Sequence, residues 1–94
     1  MPQKSTGKIN PKRAAVALGK IGPAAAAAVP HLIEVLKDPS EIEIVRTQAA
    51  EALGKIGPAA ALAVPQLIEA LQDLSEDIRN GATEALGRIG APAV

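Results

Sequence analysis

Ala17-Leu18-Gly19-Lys20-Ile21-Gly22-Pro23 returns 35 residues later as Ala52-Leu53-Gly54-Lys55-Ile56-Gly57-Pro58. It returns again, 33 residues after that, as Ala85-Leu86-Gly87-Arg88-Ile89-Gly90. Around the first two copies, residues 17–38 and 52–73 agree at 18 of 22 positions, too many for coincidence. Self-similarity at such a period marks a repeat architecture. The change of period falls in a turn, between residues 38–45 (DPSEIEIV) and 73–78 (DLSEDI), where two extra residues disturb least.

Each unit carries two helical patterns. The first, A, places Val29, Leu32, Ile33 and Leu36 on one face, repeated as Val64, Leu67, Ile68 and Leu71. This is the i, i+3, i+4, i+7 spacing of an amphipathic helix. The second, B, carries Val45, Ala49, Ala52, Leu53 and Ile56, then Ile78, Ala82, Ala85, Leu86 and Ile89, with an earlier copy at Ala14, Ala17, Leu18 and Ile21. Strand alternation is not evident, so the fold class is all-α. Gly22-Pro23 and Gly57-Pro58 end the first two B helices with a residue suited to a left-handed cap, and proline opens the next element. Pro30 and Pro65 lie within the A pattern, which predicts an Ala-rich turn or two, a kink, and the main A helix from about Pro30 or Pro65. Ser40 and Ser75 are placed to cap the following B helices. Gly19, Gly54 and Gly87 recur inside the B helices and predict close helix–helix approach.

An amphipathic helix buries one stripe, so a single repeat is unstable and neighbours must stack to form a continuous core. The expected layout is a basic N-terminal tail over 1–10, a repeat domain over 11–90 and a tail over 91–94. Within the domain, the first B helix spans 11–21 and the repeats 23–56 and 58–89.

Composition narrows the chemistry. There is no Cys, Phe, Tyr or Trp and one His, His31. That removes thiolate metal sites, thiol nucleophiles, aromatic cages and base-stacking platforms. His31 corresponds to Gln66 in the next repeat and is read as a surface residue. The Glu51/Lys55 and Glu84/Arg88 spacings suit ion pairs on a solvated helix face. No cofactor or metal is expected, and no enzymatic activity. The longest stretches without Asp, Glu, Lys or Arg, residues 21–33 and 56–68, have 13 residues each and contain proline. No membrane span or secretory signal is therefore expected, and a cytoplasmic location is. Ten basic groups balance ten acidic ones, yet residues 1–20 hold five basic groups and no acid, leaving a net −5 over residues 21–94. This asymmetry is read as a solubilising tail, or as a contact with an acidic partner or another copy; nucleic acid is disfavoured.

Residues 29–38 (VPHLIEVLKD) and 64–73 (VPQLIEALQD), followed by 45–58 (VRTQAAEALGKIGP) and 78–90 (IRNGATEALGRIG), resemble the HEAT repeat. The likeness is to its short, Ala-rich PBS-lyase HEAT-like form and covers about residues 11–90. It implies a superhelix of HEAT/armadillo type, here two full repeats and a leading half-repeat, with the B helices lining a concave, ligand-facing side. It also implies an Asp–Arg ladder tying repeats together, at Asp38 with Arg46 and Asp73 with Arg79. The first B copy has Asn10 and Pro11 where Val45 and the ladder residue Arg46 stand. On the concave side the B register nominates three rows: Arg13, Gln48 and Gly81; Val16, Glu51 and Glu84; Lys20, Lys55 and Arg88.

The chain both starts and ends with a B pattern, so Leu18 and Ile21 at one end and Leu86 and Ile89 at the other are expected to lack neighbours and to drive homo-oligomerisation. The leading functional expectation is a non-catalytic protein-interaction scaffold or assembly module, self-associating or part of a longer solenoid. Two alternatives stay open: an accessory or subunit of a bilin-lyase-like enzyme, and an engineered or excised repeat segment with no native partner.

Overall fold

The computed structural model describes residues 11–90; both expected tails lie outside the described residues. Five α-helices follow in order: α1 (Pro11–Ile21), α2 (Val29–Lys37), α3 (Glu43–Ile56), α4 (Val64–Ala70) and α5 (Glu76–Gly90). Short 3₁₀ segments, Gly22–Ala28 and Gly57–Ala63, lead into α2 and α4. The fold is all-α, a small HEAT/armadillo-like solenoid of about two repeats. The B helices α1, α3 and α5 lie side by side with α3 in the middle, while α2 packs on α3 and α4 on α5 as a second layer.

The junctions follow from local chemistry. Gly22 and Gly57 take φ of 74° and 80°, a left-handed conformation that residues with a Cβ avoid. Proline stands in the first turn of each 3₁₀ segment, where its missing N–H costs nothing. The chain then kinks at Ala25 (φ −90°, ψ 16°) and Ala60 (φ −97°, ψ 20°) before α2 and α4 begin, again with proline in the first turn. The two serines differ. Ser75 Oγ accepts the Ile78 N–H (3.3 Å) at the start of α5. Ser40 does not cap α3: its N–H and hydroxyl both donate to Asp38 Oδ1 (2.9 and 2.7 Å), and Ile42 occupies the cap position. The two-residue insertion places Ser40 too far upstream of Glu43 to reach the first turn.

Leu32 and Leu67 from the A layer and Leu53, Ile56, Ile78 and Ile89 from the B layer are fully or almost fully buried, with alanines between them. Small residues set the distance between B helices. A Cβ on Gly19 would stand 3.3 Å from Ala52 Cα, and one on Gly54 would stand 3.0 Å from Ala85 Cα. At Gly87, the third copy, nothing lies within 4 Å among the described residues. The run Arg13–Lys37 is long and apolar enough to cross a membrane if it were one helix. It is two helices, broken at Gly22 and Ala25, and Leu32, Val35 and Leu36 of its second half are buried in the fold.

The repeats are also joined by charge, between repeats rather than in the pairing expected. Arg46 Nη1 on α3 donates to Asp73 Oδ2 at the end of the following A segment, at 2.6 Å. Asp38 is bonded to Ser40 instead, and Arg79 Nη1 donates to the main-chain carbonyls of Asp73 (2.8 Å) and Leu74 (3.2 Å). The Arg46 bond, followed by the Ser75 N–H, holds the Asp73 carboxyl below the usual aspartate range.

A lowered folded-state pKa means that this stabilisation is present above the ordinary Asp value, about 4, and fades as pH falls through the folded value. Asp73→Asn is expected to cost about 0.5–1 kcal/mol at neutral pH, measured by urea unfolding, with the gap closing in acid. The glycines give a paired expectation. Gly54→Ala, forced against Ala85 Cα, should destabilise by about 1–3 kcal/mol. Gly87→Ala, with open space around it, should stabilise by up to about 1 kcal/mol because only helix propensity changes. Thermal unfolding followed by circular dichroism distinguishes the two signs.

Candidate functional site

Residues of the expected rows meet between α3 and α5. Glu51, Gly54 and Lys55 from α3 and Gly81, Glu84, Ala85 and Arg88 from α5 line one shallow groove of about 250 Å³. Its form follows from the close helix approach. Gly54, Gly81 and Ala85 are buried and leave a floor of backbone and methyl groups, while Glu51, Lys55, Glu84 and Arg88 stand exposed around it. Carboxylates and cations therefore share one narrow strip, with backbone within reach at its base.

The charged groups are not equivalent. Arg88 Nη2 donates to Glu84 Oε2 at 3.1 Å along α5. Glu51 and Lys55, with the same spacing, form no ion pair among the described residues. Lys55 instead lays its stem across the α1–α3 contact, with Cδ 3.3 Å from the position of a Gly19 Cβ. On α1, Arg13 and Lys20 are exposed and Val16 is half-buried; Gln48 on α3 is half-buried too. Gly81 is buried beside Ala50, whose Cβ lies 3.5 Å from where its own Cβ would be. His31 is exposed on α2, outside this groove, and its counterpart Gln66 donates to Glu69 Oε1 at 3.1 Å. Among the described residues no group of three or more His, Asp or Glu could hold a metal ion.

The expected open ends need one correction. Ile21 is 56% exposed, and Leu18 and Leu86 are partly buried against the core, but Ile89 is 2% exposed and belongs to the core. Ile89 follows an A segment, α4, which packs on α5; Ile21 follows none among the described residues. The apolar surface at the other end is carried by the A layer: Ile68 is 52% exposed and Leu71 38%, although their counterparts are partly buried (Ile33) and buried (Leu36). Leu62 and Leu74 are exposed as well, Leu74 almost completely. Sequence reasoning passed over these two, yet a signal existed. They stand where the preceding repeat has Ala27 and Pro39, so each is a departure from an otherwise copied unit.

A family model described as HEAT repeats matches residues 8–64 and again residues 45–94. Comparison with curated proteins gives no match. Two overlapping matches covering most of the sequence, together with the paired helical layers and the charge link between successive repeats, place this chain in the HEAT repeat family, in its short PBS-lyase HEAT-like form.

Proposed function

We propose that this chain works as a non-catalytic scaffold that holds a protein partner along its B helices and also binds copies of itself through its ends. A HEAT-like repeat fold generally serves as a protein-interaction module, and the observation that carries the reading here is the α3–α5 groove. Its floor of Gly54, Gly81 and Ala85 carries no side chain longer than a methyl group, and Glu51, Lys55, Glu84 and Arg88 offer both signs of charge. Such a surface suits a polar protein segment: charge pairing sets register, and small floor residues allow contact area without a deep pocket. Lys20 and Arg13 extend the cationic side onto α1.

Self-association is supported by where the exposed apolar side chains lie. Ile21 on α1 is exposed, as are Leu62, Ile68, Leu71 and Leu74 in and around α4, and Ile42 and Ile44 at the start of α3. Four such residues between positions 62 and 74 suit an interaction face on that side of the fold.

The partner reading is tested by comparing the proteins that bind the wild-type chain with those that bind two doubly substituted forms. Lys55→Glu with Arg88→Glu alters the groove, and His31→Glu with Lys37→Glu alters the exposed face of α2. A partner kept by the second form and lost by the first is expected. Equal binding to all three would remove the groove from the function. Self-association is read from sedimentation equilibrium with interference optics, since the chain has no Tyr or Trp. A mass above 9.5 kDa that rises with concentration is the expected result, and a constant 9.5 kDa would refute it.

A further inference from the structure

The contact between B helices keeps one register along the chain. Gly19 of α1 meets Ala52 of α3, and Gly54 of α3 meets Ala85 of α5. Continuing the series in both directions reaches two unfilled halves of the same contact. Among the described residues nothing lies within 4 Å of the Cβ position of Gly87 on α5, and Ala17, the counterpart of Ala52 and Ala85, is exposed on α1. The leucines beside them agree. Leu53, flanked by a B helix on each side, is fully buried, whereas Leu18 and Leu86 on the outer helices are only partly so.

Charge points to the same pairing. Lys55 crosses Gly19 at the α1–α3 contact, and its counterpart Arg88 shares the α3–α5 groove with Glu51. In the same register, Lys20 of an incoming α1 would cross Gly87 next to Glu84. Lys20 belongs to the stretch of residues 1–20 that contains five basic groups and no acid, and the remainder of the chain is net −5. On the two helices that would meet, α1 carries Lys12, Arg13 and Lys20 and no acid, while α5 carries Glu76, Asp77 and Glu84 against Arg79 and Arg88, so a head-to-tail contact pairs opposite net signs and an α1-to-α1 contact would bring like signs together.

We infer that a second copy of this chain docks its α1 on the outer face of α5, with its Ala17 on Gly87 and its Lys20 toward Glu84. The inference rests on the self-association reading and gives that reading a register and a polarity. The joint continues the interface already present twice within the chain. It also brings the two apolar ends together: Ile68 and Leu71 of one copy face Ile21 of the next across the place of one A segment. With that place unfilled, the joint is smaller than the internal contacts and its population depends on concentration. Being heterologous, it leaves a free Gly87 face on the added copy, so the assembly can grow.

The test uses two variants that each block one half of the joint at an exposed position, Gly87→Leu and Ala17→Leu. Circular dichroism checks that both remain helical, and sedimentation equilibrium reads the mass. Each variant alone should associate about tenfold or more weakly than wild type, the cost of forcing a bulky side chain into a close contact. An equimolar mixture still contains one intact Gly87 face and one intact Ala17 face, so it should recover association but stop at twice the 9.5 kDa chain. A second pair, Lys20→Glu and Glu84→Lys, should weaken association singly and recover it on mixing. Wild type that associates while the blocking variants do so equally well would overturn this joint and leave the self-association reading standing. Loss in both variants without recovery on mixing would indicate a symmetric contact and would likewise overturn it. A wild-type chain that stays monomeric at every concentration would overturn both.

Discussion

The approach of one B helix to the next, backbone against backbone, governs the rest of this molecule. A Cβ on Gly54 would lie 3.0 Å from Ala85 Cα, so tight that one of the two backbones would have to give, and Gly19 meets Ala52 nearly as closely. At such separations the B layer buries little side-chain volume of its own. The larger side chains Leu53, Ile56, Ile78 and Ile89 share one buried cluster with Leu32 and Leu67 of the A layer. An Ala-rich chain without a single aromatic residue obtains a dense interior in this way, from proximity rather than from bulk.

The same spacing makes the loops exact in chemistry but tolerant in length. Reversal after a B helix depends on Gly22 and Gly57, whose positive φ sends the chain into a 3₁₀ segment and on to the A layer. The opposite turn, from A back to B, accepts a two-residue insertion: α3 starts without a side-chain cap, whereas α5 starts at Ser75. What that turn preserves is the position of Arg46 relative to Asp73. Their contact crosses from one repeat to the next, and Ser75 ties back in the same direction through its hydroxyl to Glu43 Oε2 at 2.6 Å. Polar links between repeats thus sit at the rim, where they add register to a contact whose energy is mostly apolar.

Most of the architecture was legible because a repeated sequence states each rule more than once. The helix pattern, the glycine-proline junction and the kink before Pro30 and Pro65 can each be checked against a second copy. The meaning of Gly19 and Gly54 could likewise be anticipated, because a helix-breaking residue kept at one register position needs a steric reason. What the sequence hid were matters of neighbourhood. Asp38 and Arg46 are closer in sequence than Arg46 and Asp73, yet it is the second pair that is in contact. Ile89 reads as terminal in sequence but follows α4, which covers it, whereas Ile68 reads as a core position and is uncovered. In the candidate groove, helix register sets Glu51, Lys55, Gly81, Glu84 and Arg88 in neighbouring rows, but that Gly54 and Ala85 lie buried between them becomes visible only once α3 and α5 are set side by side.

A repeat chain uses identical surfaces for folding and for association, and Gly87 is where the two can be told apart. Glycine within a helix costs about 1 kcal/mol relative to alanine. At Gly19 and Gly54 that cost is offset by the contact it permits, with Ala52 and Ala85 respectively. At Gly87 the same cost falls on α5 with no contact to offset it among the described residues. Within the described residues this glycine is a loss. It becomes a gain only when another helix is seated against it, so the stability of α5 and the occupancy of its outer face are linked: whatever docks there recovers for α5 what the glycine withholds from it.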